Sequence, residues 1–333
     1  MTSPANSSLG LPPSGTLAGV GFLLVGIVAI SVQDMLIKLL SGGYPLHQIV
    51  MARSGIGIFF SLLLVQYEGG WSILRTRRPG LHAIRCLAVV LANMTYFVAL
   101  SVIPLADATA LFFAAPLFIT VLSIPILGEK VGPWRMGAVL VGLIGVILMQ
   151  RPWAEGEALG ANRLVLLLPV IAALGYALSQ IMTRRLGVES KASAMTIYMQ
   201  ATFILVSLAF WLVAGDGRFV DGSTDPSLRF LLRAWVWPRP GDWVILGSLG
   251  LMTTLIGYCL NQAYRLSDAA VVAPFEYSAL PLAVFWGWWM FGDLPLPPVW
   301  LGMGLIVSAG LVVFVRERIL ARRLARGPIK SRY

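Results

Sequence analysis

The sequence predicts an all-α polytopic membrane protein: ten transmembrane helices in two inverted five-helix repeats around a central cavity. Three observations carry this expectation: an apolar composition, ten apolar runs of membrane-spanning length, and an echo between the two halves of the chain. Of 333 residues, 58% are hydrophobic and only 12% charged, against about 25% charged in an average soluble domain. One water-facing domain cannot bury that excess of aliphatic and aromatic side chains, so lipid must be the second solvent. The 34 glycines and 20 prolines fall largely inside apolar stretches, which membrane helices tolerate because their neighbours re-satisfy freed backbone groups.

A helix needs roughly 20 apolar residues to cross the hydrocarbon. The runs that qualify are Leu17 to Leu40, Leu46 to Tyr67, Leu81 to Ile103, Ala106 to Leu127, Trp134 to Gln150, Arg163 to Thr183, Ser193 to Ala214, Trp243 to Tyr264, Ala269 to Phe291 and Val299 to Arg316. Residues 1–16, rich in Ser, Pro and Gly, read as a disordered tail and not a signal peptide, and 317–333 as a basic tail. The net charge of +10 belongs to span ends, so it reads as a topology signal and not as a nucleic-acid site. Placing both termini in the cytoplasm puts Arg75, Arg77, Arg78, Lys130, Arg135, Arg184, Arg185, Lys191, Arg265 and the C-terminal basic run on the inner side. The long outer loop, 215–242, contains Leu228 to Trp237, too short to span and suited to an interfacial helix with Trp anchors. Cys86 and Cys259 lie in apolar segments and are expected to be free, buried thiols.

The two halves, 17–150 and 163–316, echo each other. Asp107-Ala108 and Gly128-Glu129 return as Asp268-Ala269 and Gly292-Asp293, and Asp34 and Lys38 correspond to Gln180 and Arg184. Each copy holds five spans, an odd number, so the second enters the membrane inverted. That is the plan of many secondary transporters, whose substrate site lies near the repeat interface.

Several stretches carry a family resemblance: Pro104-Leu105-Ala106-Asp107-Ala108-Thr109-Ala110, Gly128-Glu129, and Ala263-Tyr264-Arg265 followed by Val272-Ala273-Pro274-Phe275-Glu276-Tyr277. With the five-plus-five pattern, the chain resembles the drug/metabolite transporter superfamily with two EamA domains. Gln33-Asp34…Lys38 and Arg78-Pro79…His82…Arg85 are most similar to the branch of S-adenosylmethionine uptake carriers and riboflavin transporters. The resemblance implies ten helices around a central cavity and alternating access without ATP, in a bacterial inner membrane.

Depth along each helix, at about 1.5 Å per residue, selects candidate substrate-binding or gating residues. Asp34, Arg53 and Tyr96 fall at one depth in the outer half; Tyr176, Gln200, Tyr258 and Glu276 fall at the mirrored depth in the inner half, with Gln180 nearer the inner edge and Asn93 near the midplane. Two such layers could close the cavity in turn. Intramembrane charges are costly and therefore functional candidates. Each residue also has a structural reading: Asp34 paired with Lys38 or Arg53, Arg53 on a backbone carbonyl beside Gly55 and Gly57, Asn93 as inter-helix glue, Glu276 protonated and hydrogen-bonded between Pro274 and Pro281. Trp286, Trp288 and Trp289 suit an interfacial belt. Ala138-xxx-Gly142 and Gly304-xxx-Ser308 suit helix contact within one chain or between two, leaving monomer and homodimer open.

No Walker A loop, zinc motif, dinucleotide loop or nucleophile–base set is present, so no enzyme activity, metal or cofactor is expected. The charges suit an amino-acid-like or zwitterionic small-molecule substrate, with a cofactor-like or nucleoside-like molecule as the alternative and a proton as a candidate coupling ion; a non-transporting receptor is the rival class. The basic bias makes one prediction directly. Reporter fusions or cysteine labelling should place Tyr333 and the Arg75 to Arg78 loop in the cytoplasm; Tyr333 outside would overturn both the topology and the repeat.

Overall fold

The computed structural model describes residues 14–128, 132–150, 163–186, 192–220, 225–266 and 275–325. Asp268, Glu129 and the interhelical basic residues Lys130, Arg151 and Lys191 lie outside them. The elements are α1 (Ser14–Leu40), α2 (Leu46–Glu68), a 3-10 turn (Trp71–Leu74), α3 (Pro79–Leu100), α4 (Leu105–Phe112), α5 (Ala115–Leu127), α6 (Pro133–Gln150), α7 (Arg163–Leu186), α8 (Ala192–Ala214), α9 (Pro226–Leu232), α10 (Asp242–Leu266), α11 (Ala279–Phe291) and α12 (Pro297–Ala325). No strand occurs among the described residues. Seven stretches are long and apolar enough to cross a membrane, α4 and α5 together forming one of them. Shorter apolar helices occupy Met136–Gln150, Ala279–Phe291 and Pro297–Val312.

Helices α4 and α5 form one rod with a break at Phe113–Ala114. Pro116, in the first turn of α5, has no N–H for the Phe112 carbonyl and its ring crowds that oxygen, so the regular ladder stops there. A second break, at Tyr277–Ser278, precedes α11 and Pro281. Both α5 and α11 run 13 residues and end on a glycine in the left-handed region, Gly128 and Gly292, each at φ 69°. This explains the glycine of the Gly128-Glu129 and Gly292-Asp293 motifs: only a residue without Cβ adopts that cap without strain. The two breaks meet in space, since the Phe113 and Tyr277 rings lie 5.1 Å apart. The Tyr277 hydroxyl presses on Gly310 of α12, where any side chain would collide.

The main packed pairs are α3 on α7, α1 on α10, α6 on α12 and α2 on α8. Large aliphatic side chains cover the outside of the bundle, among them Leu63, Leu91, Leu140, Leu205, Leu212 and Leu301, as lipid contact requires. Inside, buried Ala, Val and Leu dominate, with a minority of polar residues. Cys86 and Cys259 are free and buried, as expected.

Three details differ from the sequence reading. The helix of the 215–242 loop is only α9; residues 233–239 form no regular element, and Gln48 holds them at Val236 through both its amide N–H, 2.6 Å, and its carbonyl, 3.0 Å. The α6–α12 contact uses Gly145 and Gly302, each of which would bring a Cβ within 2.8 Å of the other's carbonyl oxygen. Gly142 instead receives Leu117 of α5, and Gly304 has open space around it. Of the three tryptophans, Trp288 and Trp289 are exposed as a belt would be, while Trp286 turns inward to Ser31, 3.3 Å.

A methyl group at either close glycine forces the α6 and α12 backbones apart. Gly302→Ala should lower stability by roughly 1–3 kcal/mol, read as a lower melting temperature in detergent. Gly304→Ala, facing open space, should not.

Candidate functional site

Asp34 and Lys38 sit one turn apart on α1, yet they serve different networks. Asp34, Tyr96 and Thr109 form a buried chain: the Tyr96 hydroxyl donates to Asp34 Oδ2 at 3.1 Å and lies 3.1 Å from Thr109 Oγ1. Thr109 Oγ1 also lies 2.8 Å from the Leu105 carbonyl, to which it donates. Arg53 is within electrostatic reach of Asp34 and only 2% exposed. Its guanidinium is held between Phe97 and Phe203, with centroids at 5.1 and 5.0 Å, and Nη2 donates to Asn93 Oδ1 at 3.3 Å. Asn93 in turn donates to the Val89 carbonyl. Asp34, Arg53, Asn93 and Tyr96 therefore occupy one layer, drawn from α1, α2 and α3.

Lys38 closes that end of the bundle. Its Nζ donates to the carbonyls of Ile103, 2.5 Å, and Leu100, 3.2 Å, stands 3.9 Å from Asp293 Oδ2 and lies 5.2 Å over the Phe291 ring. A cation at the C-terminus of α3 complements its helix dipole, and one side chain thus joins α1 to the α3–α4 and α11–α12 connections. The loops behind it are also tied. Arg233 donates to the carbonyls of Ser41 and Gly42, and Tyr44 donates to Asp242 at 2.5 Å. Burial first, and the Asp242 hydrogen bond second, hold the Tyr44 phenol above its usual pKa.

A second layer forms toward the opposite end. Gln180, Glu276 and Arg85 all act on the hydroxyl of Tyr176 in α7. Arg85 Nε donates to Thr183 Oγ1 at 2.8 Å. The remaining two expected members sit elsewhere. Gln200 is fully buried between α2 and α8, donating to Ser61 Oγ at 3.1 Å and touching Gly57. Tyr258, half-buried on α10, accepts from Gln262 and meets Phe22 edge-on.

Phe112 connects the layers. Its ring lies 5.3 Å from Tyr96 and 5.3 Å from Tyr176, giving an aromatic ladder at the end of α4, beside the broken-helix turn. A cavity of about 20 Å³ lies between Ile30, Ser31, Asp34, Leu105, Thr109, Ala279 and Ala283, room for about one water molecule. A larger concavity, about 370 Å³ between α1 and α10, has only apolar residues along it; it suits lipid chains and has no polar contact for a metabolite.

Depth arithmetic missed three contributors. Thr109 and Arg85 appear in the quoted motifs as markers of resemblance only, and Phe112 reads as one more apolar residue. Lys38 was legible as an Asp34-paired cation; its partners come from the end of α3, the α3–α4 connection and the loop before α12, far away in sequence.

This arrangement of broken helices and buried polar layers can be compared with known proteins. The profile described as "EamA-like transporter family" matches residues 17–151. A riboflavin transporter from Vibrio cholerae is 30% identical over 301 residues, covering 90% of each chain. The chain belongs to the EamA-like transporter family. A riboflavin transporter from Rhizobium johnstonii is 29% identical, covering 96% of this chain and 98% of that one. An S-adenosylmethionine uptake transporter from Rickettsia prowazekii is 24% identical, covering 91% and 94%. A solved crystal structure shares the fold with a TM-score of 0.60 at 20% identity, covering 92% of this chain and 99% of the other. This EamA-like protein is thus an integral membrane transporter of the drug/metabolite superfamily, with a small molecule as its substrate.

Coupling between Asp34 and Arg53 is measurable. Asp34→Asn and Arg53→Gln should each destabilise the protein, and the double variant should lose less than the sum of the two, by roughly 0.5–3 kcal/mol. Additive losses in thermal melting would show that the two charges do not neutralise each other.

Proposed function

We propose that this protein is a secondary carrier that brings a neutral, planar, cofactor-like metabolite of the riboflavin class across a bacterial inner membrane by alternating access. The observation that carries the reading is the ladder Tyr96–Phe112–Tyr176, which links two polar layers through contacting rings tilted at 59° and 56° to one another. Aromatic faces of this kind suit a flat heterocycle, and the polar groups at either end suit its hydrogen-bonding edges. Relatives named riboflavin transporter align over nearly the whole chain, which favours the same substrate class. An amino-acid-like zwitterion is less well served. Asp34 already faces Tyr96 and Arg53, and Arg53, held between two aromatic rings, already donates to Asn93.

Alternating access is supported by the matched broken rods and by the pairing of helices. In an inverted duplication of five spans each, the contact of α3 with α7 exchanges with that of α10 with α1, while α2 with α8 and α6 with α12 exchange with themselves; all four are the main packed pairs. On this reading there are ten spans, both termini are cytoplasmic, and the end closed by Lys38 faces outward. The outer path opens when Lys38 leaves the Leu100 and Ile103 carbonyls and Asp293. Protonation of a buried carboxylate, Asp34 or Glu276, is the candidate for coupling.

Expression in a riboflavin-auxotrophic bacterium lacking its own uptake system tests the substrate. Growth at low riboflavin and accumulation of labelled riboflavin are expected, and Phe112→Ala should cut uptake by roughly tenfold, the scale of about 1–3 kcal/mol per stacked ring. Accumulation of labelled S-adenosylmethionine or amino acids in place of riboflavin would overturn the assignment.

A further inference from the structure

The second layer contains a strong donor that the fold does not use. Arg85 Nε is engaged with Thr183, but Nη1 is shielded from solvent and has no hydrogen-bond partner. A buried guanidinium N–H left unmade is costly, and guanidinium groups present a rigid fork matched to adjacent acceptor oxygens. Helix spacing shows where it belongs. Arg85, Val89, Asn93 and Tyr96 follow one another at intervals of three and four along α3, so they share a face, and Asn93 and Tyr96 are members of the first layer. Arg85 therefore lies on the same stripe, about 16 Å along the helix from Tyr96, at the far end of the Tyr96–Phe112–Tyr176 ladder.

The charges repeat between the layers. One holds Asp34, Arg53 and Tyr96; the other holds Glu276, Arg85 and Tyr176, with Glu276 and Arg85 both acting on the Tyr176 hydroxyl. Each layer contains one carboxyl and one guanidinium group, so neither has the unbalanced charge that would favour an ion over a neutral molecule. A neutral edge that offers both acceptors and a donor complements such a pair.

We propose that Arg85 is a specificity-determining residue that binds the imide edge of the planar substrate, donating from Nη1 to an imide carbonyl while Glu276, across Tyr176, accepts the imide N–H. This inference rests on the flavin-class reading above and adds to it the orientation of the ring: imide toward the cytoplasmic end, with the opposite end of the ring system toward Tyr96 and Asp34. The substrate class so defined is a neutral heterocycle carrying a carbonyl–NH–carbonyl edge.

Flavin fluorescence quenching with the purified full-length protein provides the test, using riboflavin, lumiflavin, which keeps the ring and lacks the ribityl chain, and 3-methyllumiflavin, which blocks the imide N–H. The expected result is that the wild type binds riboflavin and lumiflavin, and binds 3-methyllumiflavin at least tenfold more weakly. Arg85→Gln should weaken riboflavin and lumiflavin by a similar factor, about 10- to 100-fold, as loss of a charge-assisted hydrogen bond predicts. Arg85→Gln leaving both affinities unchanged, or weakening riboflavin alone, would overturn the role given to Arg85 while leaving the flavin reading intact. No quenching of any flavin by the wild type would overturn the flavin reading itself. If Arg85→Gln does not fold, the two ring analogues on the wild type decide: equal affinity for lumiflavin and 3-methyllumiflavin refutes recognition of the imide edge.

Discussion

Everything polar inside this bundle follows from the cost of placing a charge where water cannot reach it. Asp34 is tolerable because Tyr96 donates to it and Arg53 stands nearby, and Arg53 because Asn93 and two phenylalanine faces surround it. The same need for partners draws residues from α1, α2, α3 and α4 into one layer, which fixes how those helices face one another. A carrier can use this requirement, because a substrate or proton that changes the partners at one layer changes which helix arrangement is favoured.

The broken rods are where the bundle bends at least cost in the alternating access proposed above. At Phe113–Ala114 and Tyr277–Ser278 the helical ladder is already interrupted by proline chemistry, so a change of angle there disrupts few hydrogen bonds. Their contact through Phe113 and Tyr277, with Tyr277 seated on Gly310, couples one break to the other. Lys38 stands at the end of this assembly with only a few polar contacts, two carbonyls and Asp293. In the proposed alternating access, a contact of so few bonds is small enough to be exchanged for water.

Other parts of the bundle serve as framework. Gly145 and Gly302 bring α6 and α12 to near backbone contact, and Gln200 with Ser61 and Gly57 fastens α2 to α8. Close packing around small residues is the means by which helices associate when lipid removes the hydrophobic incentive. Gln200 illustrates how one residue type divides: a buried amide is as useful for joining helices as for touching a substrate, and depth alone does not distinguish them.

How much was legible can be traced residue by residue. Composition and run length were enough for an all-helical membrane protein, since they depend on the thickness of the hydrocarbon and on apolar area, which are additive along the chain. Depth by helical rise was enough to align Asp34, Arg53 and Tyr96 in one layer, because a helix converts sequence position into distance along the membrane normal. Rotation about each helix axis and the choice of neighbour were beyond such arithmetic. They depend on how non-consecutive helices pack, which is why Lys38 found the Leu100 and Ile103 carbonyls and not Asp34, why Gln200 and Tyr258 took partners other than Tyr176, and why Arg85 and Phe112 entered the site only in the folded bundle. The sequence by itself determined which groups must be buried and at what depth; the tertiary structure alone decided which of them meet, because a buried polar group takes whichever partner packing brings within reach.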